Sequence, residues 1–374
     1  LEFKQKEVVD SLSRIGGIDL PEVNPIKGCE NEFRYRNKMD FAFTNRRWIT
    51  ELERAEGKEI INRNGAGLRV SGFWDKVINL NECHLQAEPS NAIRKAARDY
   101  AIENELDFFD IADKEGFLRA LTIRMSSTGE IMVLFQFFYE DESKRLGLLN
   151  YIKEQFPEIT SLLYTINNKG NETIFDLDII TFSGTDCIYE EMEGLKFKIG
   201  PKSFYQTNSK QAYELYKVTR ELAQIKKNDI VYDLYTGTGT IAQFVGKNAL
   251  KVIGVESVPE AIDAAKENAK NNSIDNCKFY VGDIKEIFTE DFIRNNGHPD
   301  VIITDPPRDG MHKKVVGQLL DVNPKRIVYV SCNPATQARD LALMNEHYKV
   351  TKVQPVDMFP QTFHVENVVL LEKR

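Results

Sequence analysis

After Gly194 the sequence settles into one repeating pattern, a short apolar run followed by an amphipathic stretch, kept up to the end of the chain. Runs rich in Val and Ile at 229–235, 251–256, 278–281, 301–304, 326–331, 348–356 and 365–372 read as strands. The interior ones lack strict in-and-out alternation, as strands covered on both faces do. Helical periods lie between them, one opening at Pro259, a good first helical residue, and running to Asn271. Strands joined through helices lie parallel with right-handed crossovers, so this half is expected to form a doubly wound α/β sheet. Its ligand crevice then lies beyond the carboxyl ends of the strands, where every candidate residue below falls.

The first half has a different rhythm. Apolar positions at helical spacing over 3–15 meet Gly16 and Gly17, which reads as a helix with a glycine stop. From Phe33 to Phe197 the runs are short and alternating: strands are predicted at 36–44, 120–125, 131–139, 162–167 and 173–178, with helices at 92–102 and 144–156. This is an α+β region. Since 374 residues exceed what one core usually serves, the predicted division is an N-terminal helix (1–28) packing on the last domain, an α+β central domain (29–195) and the doubly wound domain (196–374).

No apolar run approaches the roughly 20 residues of a spanning helix, and the start lacks the features of a secretion signal, so a cytoplasmic, monomeric protein with no membrane partner is expected. The first residue is Leu1 rather than Met, from which we expect an upstream segment. Five cysteines (Cys29, Cys83, Cys187, Cys277, Cys332) are too sparse for a disulfide framework. A formal charge of -8 argues against indiscriminate coating of nucleic acid. Yet Arg34, Arg36, Lys38, Arg46, Arg47, Arg63 and Arg69 cluster with Phe33, Tyr35, Phe41, Phe43 and Trp48 between them. That stretch suits the solvated face of an amphipathic sheet and an RNA-contacting surface equally.

In the first strand-to-helix turn, Asp233-Leu234-Tyr235-Thr236-Gly237-Thr238-Gly239-Thr240 carries two glycines where a missing side chain lets backbone approach a ligand. Glu256 ends the second strand, where a carboxylate can accept hydrogen bonds from ribose hydroxyls, and Asp283 follows the third. The loop lacks the Lys-Ser/Thr of a P-loop and the third glycine of a dinucleotide fingerprint. A methyl-donor nucleoside is therefore favoured over a nicotinamide or flavin.

Asp305-Pro306-Pro307-Arg308 follows a buried strand, and by itself would suit methylation of an amino nitrogen. The next strand ends in Ser331-Cys332-Asn333-Pro334, and Phe363-His364-Val365-Glu366 precedes the last. A thiolate and a carboxylate are the minimum equipment for methylating carbon 5 of a pyrimidine. Carbon 5 attacks a methyl sulfonium only after a nucleophile has added to carbon 6, and a base must then remove its proton. Arg308 would clamp phosphate or fix its own loop, and His312 and His364 are read as structural.

These segments, with Ser203-Phe204-Tyr205-Gln206-Thr207-Asn208 and His364-Val365-Glu366-Asn367, resemble the RNA 5-methyluridine methyltransferases over nearly the whole chain and most specifically in its last 175 residues or so. Tyr35-Arg36-Asn37-Lys38-Met39-Asp40 and Gly116-Phe117-Leu118-Arg119 carry the likeness in the first half. The resemblance implies a Rossmann-like methyltransferase domain with an RNA-engaging central domain, S-adenosylmethionine as cofactor, Cys332 as nucleophile, Glu366 as base and Asp305 as the group orienting uracil. It further implies cofactor contacts from Gln206, Tyr235, Gly237, Gly239, Thr240, Glu256, Asp283 and Asp305, and substrate contacts from Phe204 and Arg308. Thr240 stands where the family often has Asn, so a different cofactor contact is expected there. Many members hold a four-iron four-sulfur cluster, and the setting of Cys83 resembles that of its fourth ligand; the other three cysteines are not in this chain. Large-subunit ribosomal RNA is the favoured substrate, with the T loop of transfer RNA second, and a non-catalytic RNA-binding module is the rival from another class.

Overall fold

The computed structural model describes residues 1–57 and 59–374. The chain divides into two compact units: Leu1–Glu32 with Glu191–Phe197 and Phe204–Arg374, and Phe33–Glu190 with Lys198–Ser203. The N-terminal residues share a core with the doubly wound sheet, Val8 and Leu12 being buried together with Tyr329, Leu341 and Met344. Their helix, α1 (Glu2–Asp10), continues as a π-helical turn over Ser11–Ile15. It ends at Gly16, where a Cβ would meet the Leu12 carbonyl at 2.6 Å and that of Ala338 at 3.0 Å, and Gly17 follows at φ 59°. No helix among the described residues is long and apolar enough to cross a membrane.

In the larger unit we label the strands β1 (Ile230–Leu234), β2 (Lys251–Glu256), β3 (Cys277–Val281), β4 (Val301–Thr304), β5 (Arg326–Ser331), β6 (Tyr348–Val356) and β7 (Glu366–Lys373). They form one sheet in the order β3-β2-β1-β4-β5-β7-β6. Pairing is parallel from β3 through β5, but β7 runs antiparallel to both β5 and β6. The reversal follows from the connection, since no helix separates β6 from β7 and a short loop can only turn the chain back. Glu366 is accordingly the first residue of its strand, not the last, and it reaches the carboxyl edge of the sheet because the strand is inverted.

The smaller unit is also built on a seven-stranded sheet, in the order Val77–Asn79, Gly65–Arg69, Lys38–Thr44, Leu118–Met125, Ile131–Phe137, Ser161–Ile166, Ile180–Gly184. The helices Ser90–Glu103 and Glu142–Gln155 bury Ile93, Ala97, Leu148 and Ile152 in one core with Phe41, Phe43, Phe135 and Phe137. The strand predicted at 173–178 is instead turn and loop. Buried Arg119 donates to the carbonyls of Asn167, Lys169 and Asn171 at 2.6–2.7 Å, holding the chain off the ladder until Ile180. Gly65–Arg69 escapes sequence reading because of its glycines, which the packing demands: a Cβ on Gly67 would meet the Ile78 carbonyl at 2.0 Å.

The basic and aromatic stretch of this unit resolves mostly into core and neutralised rim. Phe41 and Phe43 are buried, while Arg34 pairs with Glu82, Lys38 with Asp40, Arg46 with Asp110 and Asp113, Arg47 with Glu53 and Arg69 with Glu172. Arg119 is wholly buried and serves its own loop.

Candidate active site

Strand register lines up the cofactor side. Leu234 of β1 pairs with Val255 of β2 and with Thr304 of β4. The next residue of each strand, Tyr235, Glu256 and Asp305, thus lies at one level along the carboxyl edge. Tyr235 has φ 63°, and the turn continues through Gly237 and Gly239, also at positive φ. The two glycines serve different ends. A Cβ on Gly239 would meet the Phe279 ring at 2.8 Å and Ala265 at 2.9 Å, so that glycine exists to let the chain pack on itself. Over Gly237 nothing lies within 4 Å, leaving the space a ligand needs.

Glu256 already gathers donors: its Oε2 accepts from the Gly237 N–H at 3.3 Å, and its Oε1 from the N–H groups of Ser257 and Val258 at 2.7 and 3.1 Å. Asp283 caps the next short helix and is exposed, its carboxyl held below the usual range by Lys285. Thr240 is buried, its hydroxyl 3.3 Å from that of Thr238. Gln206 is half-buried, two residues before Asn208, whose side chain caps the helix Ser209–Ala223, and Phe204 is 73% exposed.

Sequence reasoning passed over Asp233. It is 1% exposed and accepts from Thr236 Oγ1 at 2.5 Å and the Ala242 N–H at 3.0 Å, both at Oδ2. Its Oδ1 is buried with no partner among the described residues, and burial lifts the carboxyl to about 7. Its place in the strand that feeds the glycine turn was the available signal. This orphaned oxygen, the bare turn over Gly237 and the Glu256 carboxylate make a set of acceptors and open space that fits a nucleoside with ribose hydroxyls and a cationic group.

The chemical side is built by antiparallel pairing. Ser331 of β5 stands opposite Asn367 of β7 on the last rung of the ladder, and the next residues beyond it are Cys332 and Glu366. Asn367 is locked behind them, its Nδ2 donating to Gln337 Oε1 at 2.8 Å while Gln337 Nε2 donates to the Tyr329 carbonyl at 3.0 Å. Glu366 is 6% exposed and Cys332 half-buried. Burial, then the charges of Glu366 and Asp305, push the thiol up to about 11, and the Arg308 guanidinium beside it pulls the other way. Burial and Asp305 raise Glu366 well above its ordinary range, and burial with Asp233 brings Asp305 to about 7.

Arg308 is exposed, and its backbone carbonyl accepts from Asn333 Nδ2 at 3.1 Å and Thr336 Oγ1 at 3.0 Å. Its side chain is in none of the ion pairs found among the described residues, so the loop is fixed by its backbone and the cation is left for the cleft. Asp340, also missed in sequence, anchors the same loop by accepting from the Met311 N–H and the Tyr329 hydroxyl, both at 2.7 Å. His312 caps the helix Lys313–Val322 through Nδ1. His364 lies against Phe363, ring centroids 4.2 Å apart, and burial, Arg308 and Lys4 lower its proton affinity.

Cys83 is buried in the core of the smaller unit, and among the described residues no three His, Cys, Asp or Glu side chains converge to hold a metal. The residues present do not make an iron–sulfur site.

A doubly wound sheet with an added β-rich region and a glycine turn at its carboxyl edge defines the class, a Rossmann-like α/β methyltransferase. Residues 180–374 match the sequence model of the family described as tRNA (Uracil-5-)-methyltransferase. An uncharacterized RNA methyltransferase of Bacteroides thetaiotaomicron is 56% identical over all of this chain and 83% of its own length, and one of Porphyromonas gingivalis 52% identical over 99% and 81%. The crystal structure of Pyrococcus abyssi tRNA (uracil-54, C5)-methyltransferase, in complex with S-adenosyl-L-homocysteine, superposes with a TM-score of 0.79 at 30% identity, covering 99% of this chain and 82% of that one. The chain belongs to the RNA (uracil-5-)-methyltransferase family, whose members use S-adenosylmethionine.

Proposed function

We propose that this protein methylates carbon 5 of a uridine in RNA through a covalent adduct with Cys332. The observation that carries the reading is the nearness of Cys332 and Glu366, the residues just beyond the Ser331–Asn367 rung, where the charge of Glu366 acts on the thiol and Asp305 and Arg308 act on both. S-adenosylmethionine, when bound, supplies an electrophilic methyl group on a sulfonium. Glu256 would hold its ribose, with Gln206, Tyr235, Gly237, Gly239, Thr240 and Asp283 around it, and Asp233 and Asp305 would face its cationic part.

Cys332 gives up its thiol proton to water and adds as the thiolate to carbon 6 of the uracil, and Arg308 stabilises the thiolate that burial otherwise disfavours. The pair of electrons displaced from the C5–C6 double bond makes carbon 5 nucleophilic enough to take a methyl group. Glu366, whose buried carboxylate has high proton affinity, then removes the proton from carbon 5. The double bond re-forms, the S–C6 bond breaks and the thiolate leaves. Asp305 orients the ring, and Phe204 offers an exposed face to the base. The target uridine must leave its stack to reach the thiol, which favours loops over duplex.

The smaller unit serves to engage RNA. Large-subunit ribosomal RNA is the substrate we favour, and transfer RNA is the second reading, supported by the likeness to the Pyrococcus enzyme. Mapping methylated uridines in both RNAs from cells lacking the gene separates them. The chemistry is tested by Cys332→Ala, which should abolish methyl transfer while donor binding persists. Retained turnover would overturn it in favour of nitrogen methylation through Asp305-Pro306-Pro307.

A further inference from the structure

In the smaller unit a cavity of about 480 Å³ is lined by Arg47, Trp48, Asn62, Asn64, Asn79 and Asn81. It lies at the Val77–Asn79 edge of the sheet, where Arg47 makes an isolated bridge to Val77 and, among the described residues, no further strand is paired. We propose that this cavity binds one unpaired nucleotide of the RNA substrate, with preference for a base whose edge is rich in carbonyl oxygens, such as uracil or guanine; the proposal rests on the RNA reading above.

The charge of the cavity argues first for a base over a phosphate. Arg47 donates through both terminal nitrogens to Glu53, at 2.7 and 3.1 Å, and Arg47 in turn holds the Glu53 carboxyl at about 2. The two charges cancel in a fork geometry, leaving a wall of neutral polar groups. Side-chain amides are the groups that present donors and acceptors to base edges.

The hydrogen-bond inventory then selects the kind of base. Asn62 Oδ1 accepts from the Asn64 N–H at 2.8 Å, and Asn79 Oδ1 from the Ala66 N–H and from Arg98, at 3.1 and 3.3 Å. These two carbonyl oxygens therefore have work within the fold. The side chains of Asn64 and Asn81 make no hydrogen bond among the described residues, nor does any of the four Nδ2 groups. Four amino groups against two available carbonyl oxygens make the wall donor-rich, and a donor-rich wall fits carbonyl oxygens.

Trp48 adds an aromatic surface, half-buried, with Phe73 tilted against it at 5.2 Å between centroids and Arg54 5.3 Å from the ring. Stacking on such side chains with base edges read by hydrogen bonds is how unpaired RNA is usually held. The volume also falls in the range of small-molecule sites, roughly 300–1,000 Å³.

The chain has two tryptophans, Trp48 and Trp74, which gives a local readout independent of methyl transfer. In the full-length Trp74→Phe variant, emission from Trp48 is followed during titration with hexamers of U, A or C. The expected result is saturable quenching by the U hexamer, roughly ten-fold weaker binding of the A and C hexamers, and a similar loss for U when Asn64→Ala and Asn81→Ala are added. Matching far-UV spectra and melting curves would show that the added substitutions leave the fold intact. Absence of quenching, equal quenching by all three hexamers, or quenching indifferent to loss of the two amides would each overturn the proposal. Since no methyl transfer is needed, such a failure leaves the Cys332 chemistry standing, and an inactive Cys332 leaves the quenching in place.

Discussion

Replacing Glu366 with Gln isolates the last step of the proposed reaction. The side chain is 6% exposed on the first residue of β7, and glutamine keeps its shape while losing the ability to take a proton from carbon 5. A positioned general base contributes about 10²- to 10⁴-fold, which corresponds to roughly 3–5 kcal/mol of barrier. Addition of Cys332 and methyl transfer do not need that base. The structure even favours them in the variant, because Glu366 is the foremost charge raising the Cys332 thiol toward about 11, and glutamine removes it. RNA should therefore accumulate on the protein as a methylated covalent adduct, visible as a slow-migrating band on a denaturing gel when either RNA or donor methyl is labelled. Multiple turnover should fall by the same 10²- to 10⁴-fold. Near-normal turnover with no adduct would refute the role of Glu366; loss of both adduct and turnover would place its action before methyl transfer.

Three further outcomes follow from the geometry. Gly239→Ala sets a Cβ 2.8 Å from Phe279 at φ 74° and should cost about 1–3 kcal/mol of stability, whereas Gly237→Ala, with open space at φ 54°, should melt closer to wild type yet lose more donor affinity; calorimetry of melting and of donor titration checks the crossing order. Asp233 has its folded pKa raised from 3.8 to about 7, so its contribution is fully present below 3.8 and lost as pH rises through about 7. Asp233→Asn should therefore stabilise the protein by up to a few kcal/mol at pH 8 and by less at pH 5, and equal melting shifts at both would contradict the assignment. Lys4 of α1 donates to Asp357 at 2.6 Å and to the Phe359 carbonyl at 3.0 Å, tying the loop that leads to Glu366. Lys4→Met strands a buried carboxylate and should cost about 3–5 kcal/mol. Lys4→Met with Asp357→Leu should recover much of that in thermal melts, and an unchanged melting point in the single variant would refute the coupling.

Much of the larger unit was legible in the sequence. The strands at 251–256, 301–304, 326–331 and 348–356 and the helix at 259–271 agree with their predicted bounds, because apolar period and cap residues are local signals. In the smaller unit the locality fails. Gly65–Arg69 is a strand whose glycines are explained only by the chain lying across them, and 173–178 is pulled into a loop by an arginine some 50 positions earlier.

The sequence alone determined the doubly wound sheet and the residue types waiting at its carboxyl edge, since a parallel strand that ends in Asp305 or Cys332 must present it there. Tertiary structure alone decided which of those residues meet. Antiparallel pairing of Ser331 with Asn367 brings Glu366 near Cys332, Gly239 answers to Phe279 rather than to a ligand, and most of the cations of 34–69 are matched with acids. The physical reason is range: a period or a cap is set within a few residues, whereas the partner of a side chain is set by packing between segments that the linear order leaves far apart.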